Sequence, residues 1–221
     1  MKDMKRIYFI EGTPGVGKTT YINRLLSQNN GQFRKVYSAD VVPENMVRKA
    51  IKDGQSLSVD EARCIYRKRS YADYRCEHMR IWNDFCVQNQ DDQTTLVVDA
   101  GLMQAPLYEL MGLYLLSPEQ ICSHTQEIVD IVKQYFIPEL VYIKTPHPGR
   151  CIRKAIESQQ QQRTQWVKGF CTWLEVAPYP MQKGYSDLSG IEQFVADRAL
   201  VDAYLIDNLM IEKGIRNRDF V

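Results

Sequence analysis

Short β-rich runs alternate with stretches whose apolar residues recur every three or four positions, and that alternation predicts strands separated by helices. Ile7-Tyr8-Phe9-Ile10, Val36-Tyr37-Ser38 ending at Asp40, Thr95-Leu96-Val97-Val98 and Leu140-Val141-Tyr142-Ile143 read as four strands. Between the first two, Thr20 to Leu26 has helical spacing, and Asn29-Asn30-Gly31 closes it. Helices are predicted over 44–52, broken by Gly54, and over 60–90, as one long element or two in tandem, with Ile81, Trp82, Phe85 and Cys86 on one face. Two more, over 106–116 and 118–136, each start near a proline, where a missing amide hydrogen costs little. After Arg150 come a basic helical stretch, the glutamines Gln159 to Gln162, and Trp166, Phe170 and Trp173 at a helical spacing that suits core packing. A last helix from about Ile191 to Met210 leaves Ile215 to Val221 for a fifth strand.

Strands regularly separated by helices must lie parallel, because each crossover returns the chain right-handed across the sheet. The expected fold class is therefore α/β, a three-layer architecture with a parallel sheet covered by helices on both faces. No repeat or linker divides the 221 residues, so 1–221 is expected to be one domain.

The chemistry concentrates where the first strand meets the first helix. Gly12-Thr13-Pro14-Gly15-Val16-Gly17-Lys18-Thr19 matches G-x-x-x-x-G-K-[ST] in the strand–loop–helix context that the pattern requires. Glycines there let the backbone turn its amide hydrogens onto a phosphate, and the helix that follows presents its positive end. Lys18 is expected to reach the β- and γ-phosphates, with the Thr19 hydroxyl on Mg²⁺ and Thr20 continuing the cradle.

With Phe9, Ile10 and Glu11 before it and Thr20 after it, this segment resembles the opening of thymidylate kinases and deoxynucleoside kinases. The resemblance implies a P-loop nucleoside or nucleotide kinase superfamily fold and ATP-dependent transfer of a phosphoryl group to a small acceptor. It also implies that the segment after the fourth strand, about 148–185, is a lid whose Arg150 or Arg153, with Lys154 and Arg163 nearby, neutralises charge in the transition state. Asp40 takes, by the same resemblance, the place of the carboxylate that accepts the proton of the attacking hydroxyl, with Glu44 as substitute. A loop-capping role for Asp40 stands beside it.

Asp99 follows four consecutive β-strand residues and so emerges at the carboxyl end of a buried strand, where open α/β sheets place ligands. It is a candidate for the magnesium shell, or alternatively an N-cap for the next helix. Glu11 could support either the loop or the metal. Arg63, Arg67, Lys68, Arg69, Arg75 and Arg80, interleaved with Tyr66, Tyr71 and Tyr74, could bind an anionic acceptor or stack a base, or form the wet face of a long helix.

Composition adjusts this picture little. With 28 basic and 27 acidic residues, the chain has no global field for nucleic acid or an anionic membrane, so a small-molecule acceptor is the expected partner and a homodimer is left open. Six scattered cysteines suit free thiols in a reducing cytosol, and the apolar run near the amino terminus is too short for a signal peptide, so cytoplasmic residence is expected. His78, His124 and His147 lack metal-ligand spacing. No Asn-Lys-x-Asp guanine reader exists, which argues against a GTPase. A nucleotide-dependent switch or regulatory ATPase, and a kinase for a non-nucleotide small molecule, stay as alternatives.

Overall fold

A computed structural model describes residues 4–29, 31–46, 58–157 and 160–217. Five strands, β1 (Lys5–Gly12), β2 (Phe33–Tyr37), β3 (Thr95–Asp99), β4 (Phe136–Lys144) and β5 (Glu212–Asn217), form one sheet in the order β2-β3-β1-β4-β5. Every pairing is parallel. The central strand β1 sets Ile10 opposite Asp99 of β3 and Gly12 opposite Ile143 of β4, so the three carboxyl ends share one edge.

The period of two divides the apolar residues between the faces. Ile10, Val97, Val141 and Ile143 pack with Val16 of the loop after β1 and with Ile22 of α1 (Lys18–Gln28). Ile7, Phe9, Leu96, Val98 and Leu140 belong to the larger core on the opposite face. That core is built with α3 (Tyr71–Asn89), α5 (Pro118–Lys133) and α9 (Asp187–Asn208), together with α4 (Gln104–Leu110), α6 (Pro148–Glu157) and α7 (Gln160–Val176). The short α2 (Val59–Arg67) and α8 (Pro178–Lys183) complete the described helices. None of these is long and apolar enough to cross a membrane. All six cysteines are free.

Several boundaries differ from the sequence expectation. The segment 60–90 is two helices, because Ser58 and Ser70 each open a capping box, with Glu61 and Asp73 respectively, and the second box interrupts the first helix. The helix expected over 118–136 stops at Lys133, since Phe136 already belongs to β4. Pro138 is tolerated in that strand because β5 pairs with β4 only from Glu139 onward, which leaves the proline at an edge on that side. The strand β2 begins at Phe33 and ends at Tyr37, and Ser38–Asp40 is a single 3₁₀ turn. The helix expected over 106–116 is instead Gln104–Leu110, and β5 starts three residues earlier than expected. Most of the helix expected over 44–52 lies outside the described residues, as do the side chains of Arg163 and Trp166. Phe170 and Trp173 are core residues, stacked edge-on with Tyr108 and Phe194.

Two histidines meet inside the α3–α5 interface. The indole of Trp82, which can only donate, bonds to His78 Nε2 at 3.2 Å, so His78 Nδ1 carries hydrogen toward His124 Nε2 at 3.0 Å, and His124 Nδ1 faces the Tyr71 hydroxyl at 3.2 Å. Burial, then the neighbouring His124, pushes His78 down to about 3. Burial, then Arg75, pushes His124 down to about 4. Both therefore stay neutral when folded, whereas unfolded imidazoles take up protons below the ordinary 6.5. Native stability is full above that value and falls as the pH drops through it. From about pH 7.5 to about pH 5.5 the pair should cost about 3 kcal/mol, roughly 1.4 for each ring. Urea midpoints at both values would read this, and an equal acid loss in a His78→Gln/His124→Gln variant would remove the pair as its source.

Candidate phosphate site

The loop between β1 and α1 lies at the shared carboxyl edge, and its shape follows from its glycines. Gly12 leaves β1 with φ 140°, and a Cβ on it would stand 2.6 Å from the Ile143 carbonyl. Gly15 has φ 81°, and its Cβ would meet the Cys151 carbonyl of α6 at 2.6 Å and Ala155 Cβ at 2.9 Å. The expected lid helix α6 thus rests directly on the loop. Gly15→Ala should strain the turn and push α6 away, costing about 1–3 kcal/mol. A chemical melt of that variant, alongside a nucleotide titration, should show both effects together.

Within the loop Lys18 is buried, and its Nζ donates to the Gly12 and Thr13 carbonyls at 3.0 Å each. Burial, followed by repulsion from Arg198, holds its ammonium below the ordinary lysine range, while Glu11, Asp99 and Asp202 pull the other way. Thr13 and Pro14 are buried, Val16 fills the core beneath, and the Thr13 hydroxyl has no hydrogen-bond partner among the described residues. Gly17 caps α1, and Thr19 and Thr20 stand exposed on its first turn.

Glu11 is fully buried, and its role is structural first. One oxygen accepts the Leu102 and Met103 amides at 2.8 and 3.1 Å, and the other accepts Gln104 at 2.9 Å. The carboxylate therefore closes the amino end of α4 and ties the end of β1 to the loop after β3. Burial pushes its carboxyl up, opposed by these three amides and by Lys18.

The other expected residues are distributed around this point. Asp99 is near enough to Lys18 to act on its charge, and pairs with Lys35 of β2 at 2.8 Å. Asp40 is exposed and accepts the Tyr37 amide at 3.0 Å, the geometry of a turn cap. Arg150 is exposed on the first turn of α6. Arg153 is committed to α9 by two bonds to Glu192, at 2.5 and 2.9 Å.

Sequence reasoning missed two residues. Arg198 and Asp202 of α9 are fully buried and bonded to each other at 3.0 Å, with Arg198 Nη2 also reaching the Gly12 carbonyl at 3.2 Å and Tyr142 donating to Asp202 at 3.0 Å. The available signal was their position: they fall inside the apolar stripe Ile191, Phe194, Val195, Val201, Leu205, where a charged pair four residues apart has to be satisfied internally. With Glu11 and Lys18 they make a buried set of two cations and two anions around the loop.

A cleft of about 430 Å³ opens beyond the far end of α4, lined by Arg63, Arg67, Arg69, Tyr66, Tyr71 and Tyr114. Part of the tyrosine–arginine run thus does converge. Arg69 is held there by Glu77 at 3.1 Å and by the buried Glu109 at 3.6 Å. Arg75 and Arg80 instead form surface pairs with Glu127 and Asp84, and Tyr74 is core.

No protein-family model matches the sequence, and no curated protein matches it. Solved structures do share its fold. A chain in the structure of the Pnkp1/Rnl/Hen1 RNA repair complex superposes with a TM-score of 0.51 at 11% identity, over 96% of this chain and 48% of that one. The present chain thus spans about half the length of that neighbour. A gluconokinase from Sinorhizobium meliloti 1021 aligns at a TM-score of 0.44 and 8% identity, over 99% of this chain and 85% of the other.

Proposed function

We propose that the chain is an ATP-dependent phosphotransferase that moves the γ-phosphoryl group to a small acceptor, with a nucleoside or nucleotide as the leading candidate. The observation that carries this reading is Lys18, a buried ammonium at the tip of a strand–loop–helix turn, parked on two loop carbonyls at 3.0 Å and within reach of opposing charges. A lysine so placed exchanges carbonyl oxygens for phosphate oxygens with little loss, and the turn matches the phosphate-cradle pattern residue by residue.

In this reading Gly12 to Thr20 hold the donor phosphates. The residues present suit Mg²⁺, because the Thr19 hydroxyl is exposed at the mouth of the loop and the Asp99 carboxylate lies beside Lys18 at the same sheet edge. The ion would neutralise phosphate charge there. The acceptor oxygen forms a bond to the γ-phosphorus as the bond from that phosphorus to the β–γ bridging oxygen breaks, ADP departs, and Asp40 takes the acceptor proton after leaving the Tyr37 amide. Arg150, free of the tie that holds Arg153 to Glu192, is the better placed of the two to meet the equatorial oxygens. The aromatic and guanidinium lining of the cleft beyond α4 supports an acceptor carrying a ring and an anionic group.

The test is an ADP-release screen over nucleosides, nucleoside monophosphates and other hydroxyl compounds, with Lys18→Ala as the blank. Acceptor-dependent release, absent from the blank, is the expected outcome. Release equal in every well to that without acceptor would sink the kinase reading in favour of an ATPase switch.

A further inference from the structure

We infer that Arg198 is a positioning residue of the phosphate loop, a second buried cation that holds the Gly12 carbonyl so that Lys18 can leave it for a phosphate. The inference rests on the nucleotide-binding reading above. When Lys18 swings toward a phosphate it lets go of one or both of its carbonyls, and a buried carbonyl left without a donor is costly. The structure already supplies a substitute at each. The Val16 amide donates to the Thr13 carbonyl at 3.3 Å, and Arg198 Nη2 donates to the Gly12 carbonyl at 3.2 Å. Departure of Lys18 therefore strands neither oxygen.

Arg198 suits the task because it cannot itself move. It is fully buried, anchored to Asp202 at 3.0 Å, and Asp202 is fixed in turn by the Tyr142 hydroxyl of β4. The Tyr108 hydroxyl of α4 is close enough to interact with the guanidinium, while Nε and Nη1 have no hydrogen-bond partner among the described residues. Its positive charge repels the Lys18 ammonium, and of the two cations Lys18 is the one not bonded to a carboxylate. Of the four buried charges, Arg198 and Asp202 come from α9, and Arg198 stands 186 residues from Gly12 along the chain.

The experiment separates this role from plain structural support by making affinity and stability change in opposite ways. Full-length wild type, Arg198→Met/Asp202→Leu and Asp202→Asn are titrated with ATP and with inorganic tripolyphosphate by calorimetry, and melted in parallel. The double variant replaces a buried ion pair with apolar side chains, a change that generally preserves folding. It should melt near wild type yet bind both ligands about 10- to 100-fold more weakly, the loss expected for one charge-assisted hydrogen bond. Asp202→Asn keeps Arg198 on Gly12, so it should melt lower and bind within about threefold of wild type. If binding instead follows stability, with the double variant at wild-type affinity or Asp202→Asn as weak as its melting is low, Arg198 is only a core residue. Failure of the wild type to bind either ligand would bring down the nucleotide reading itself, and this inference with it.

Discussion

Lys18→Met should lower the rate of the proposed phosphoryl transfer by about 10³-fold, the scale of losing one aligned charge from a desolvated transition state. The fold should survive. Methionine fills the space of the buried lysine stem, and removing an ammonium that burial and Arg198 already disfavour relieves part of what its two hydrogen bonds contributed. What is lost is the charge that tracks the γ-phosphoryl as it moves, since Arg198 is held on Gly12 and cannot follow. Single-turnover rates beside a thermal melt measure both quantities. A rate within about tenfold of wild type would place the donor phosphates somewhere other than Lys18.

Glu11→Ala should cost about 3–5 kcal/mol of stability, because three amides at the start of α4 lose their acceptor in a place water does not reach. Glu11→Gln should cost less, since one carbonyl oxygen still accepts from Leu102 and Met103, whereas Gln104 would then face an amide group. Denaturant midpoints for the two variants would rank them. Midpoints equal to that of the wild type would show that the carboxylate is dispensable as a cap. The alanine variant should also loosen the proposed nucleotide binding, because beside the Ala100 amide on the Ile10 carbonyl the Glu11 side chain ties the end of β1 to the loop that follows Asp99.

The proposed donor half of the site is legible in the chain because it is local. Residues 12–19 carry their own turn chemistry, and the strand before them and helix after them announce themselves by period. The α/β class follows for the same reason, and the five parallel strands match it. What escaped was non-local. Glu11 looked like a metal or loop acid because nothing near it in sequence reveals that the amides of 102–104 will arrive on it. Arg198 and Asp202 sit in a stripe that reads as core, and only the register of α9 against β4 and the loop gives them Gly12 and Tyr142 as partners. Boundaries shifted where two local signals competed. Ser70 caps a helix inside a run that the sequence leaves as one helix or two, and Phe136, which suits a helix end, is claimed with the three residues after it by β1 as strand. Asp40 and the arginines of the lid rested on resemblance, and their geometry describes a turn cap and, for Arg153, a surface ion pair.

The close contact between Gly15 and α6, and the reach of Arg198 to Gly12, also govern when the cradle exists during synthesis. Its sequence emerges from the ribosome before the segments that shape it, since its geometry draws on residues 102–104, 143, 151 and 198. Sequence-distant pairings of this kind close late and make folding slow, as in other parallel sheets. A nascent chain shorter than about Asp202 should therefore carry the whole phosphate motif and still bind no nucleotide, so that nucleotide capture reports that α9 has docked.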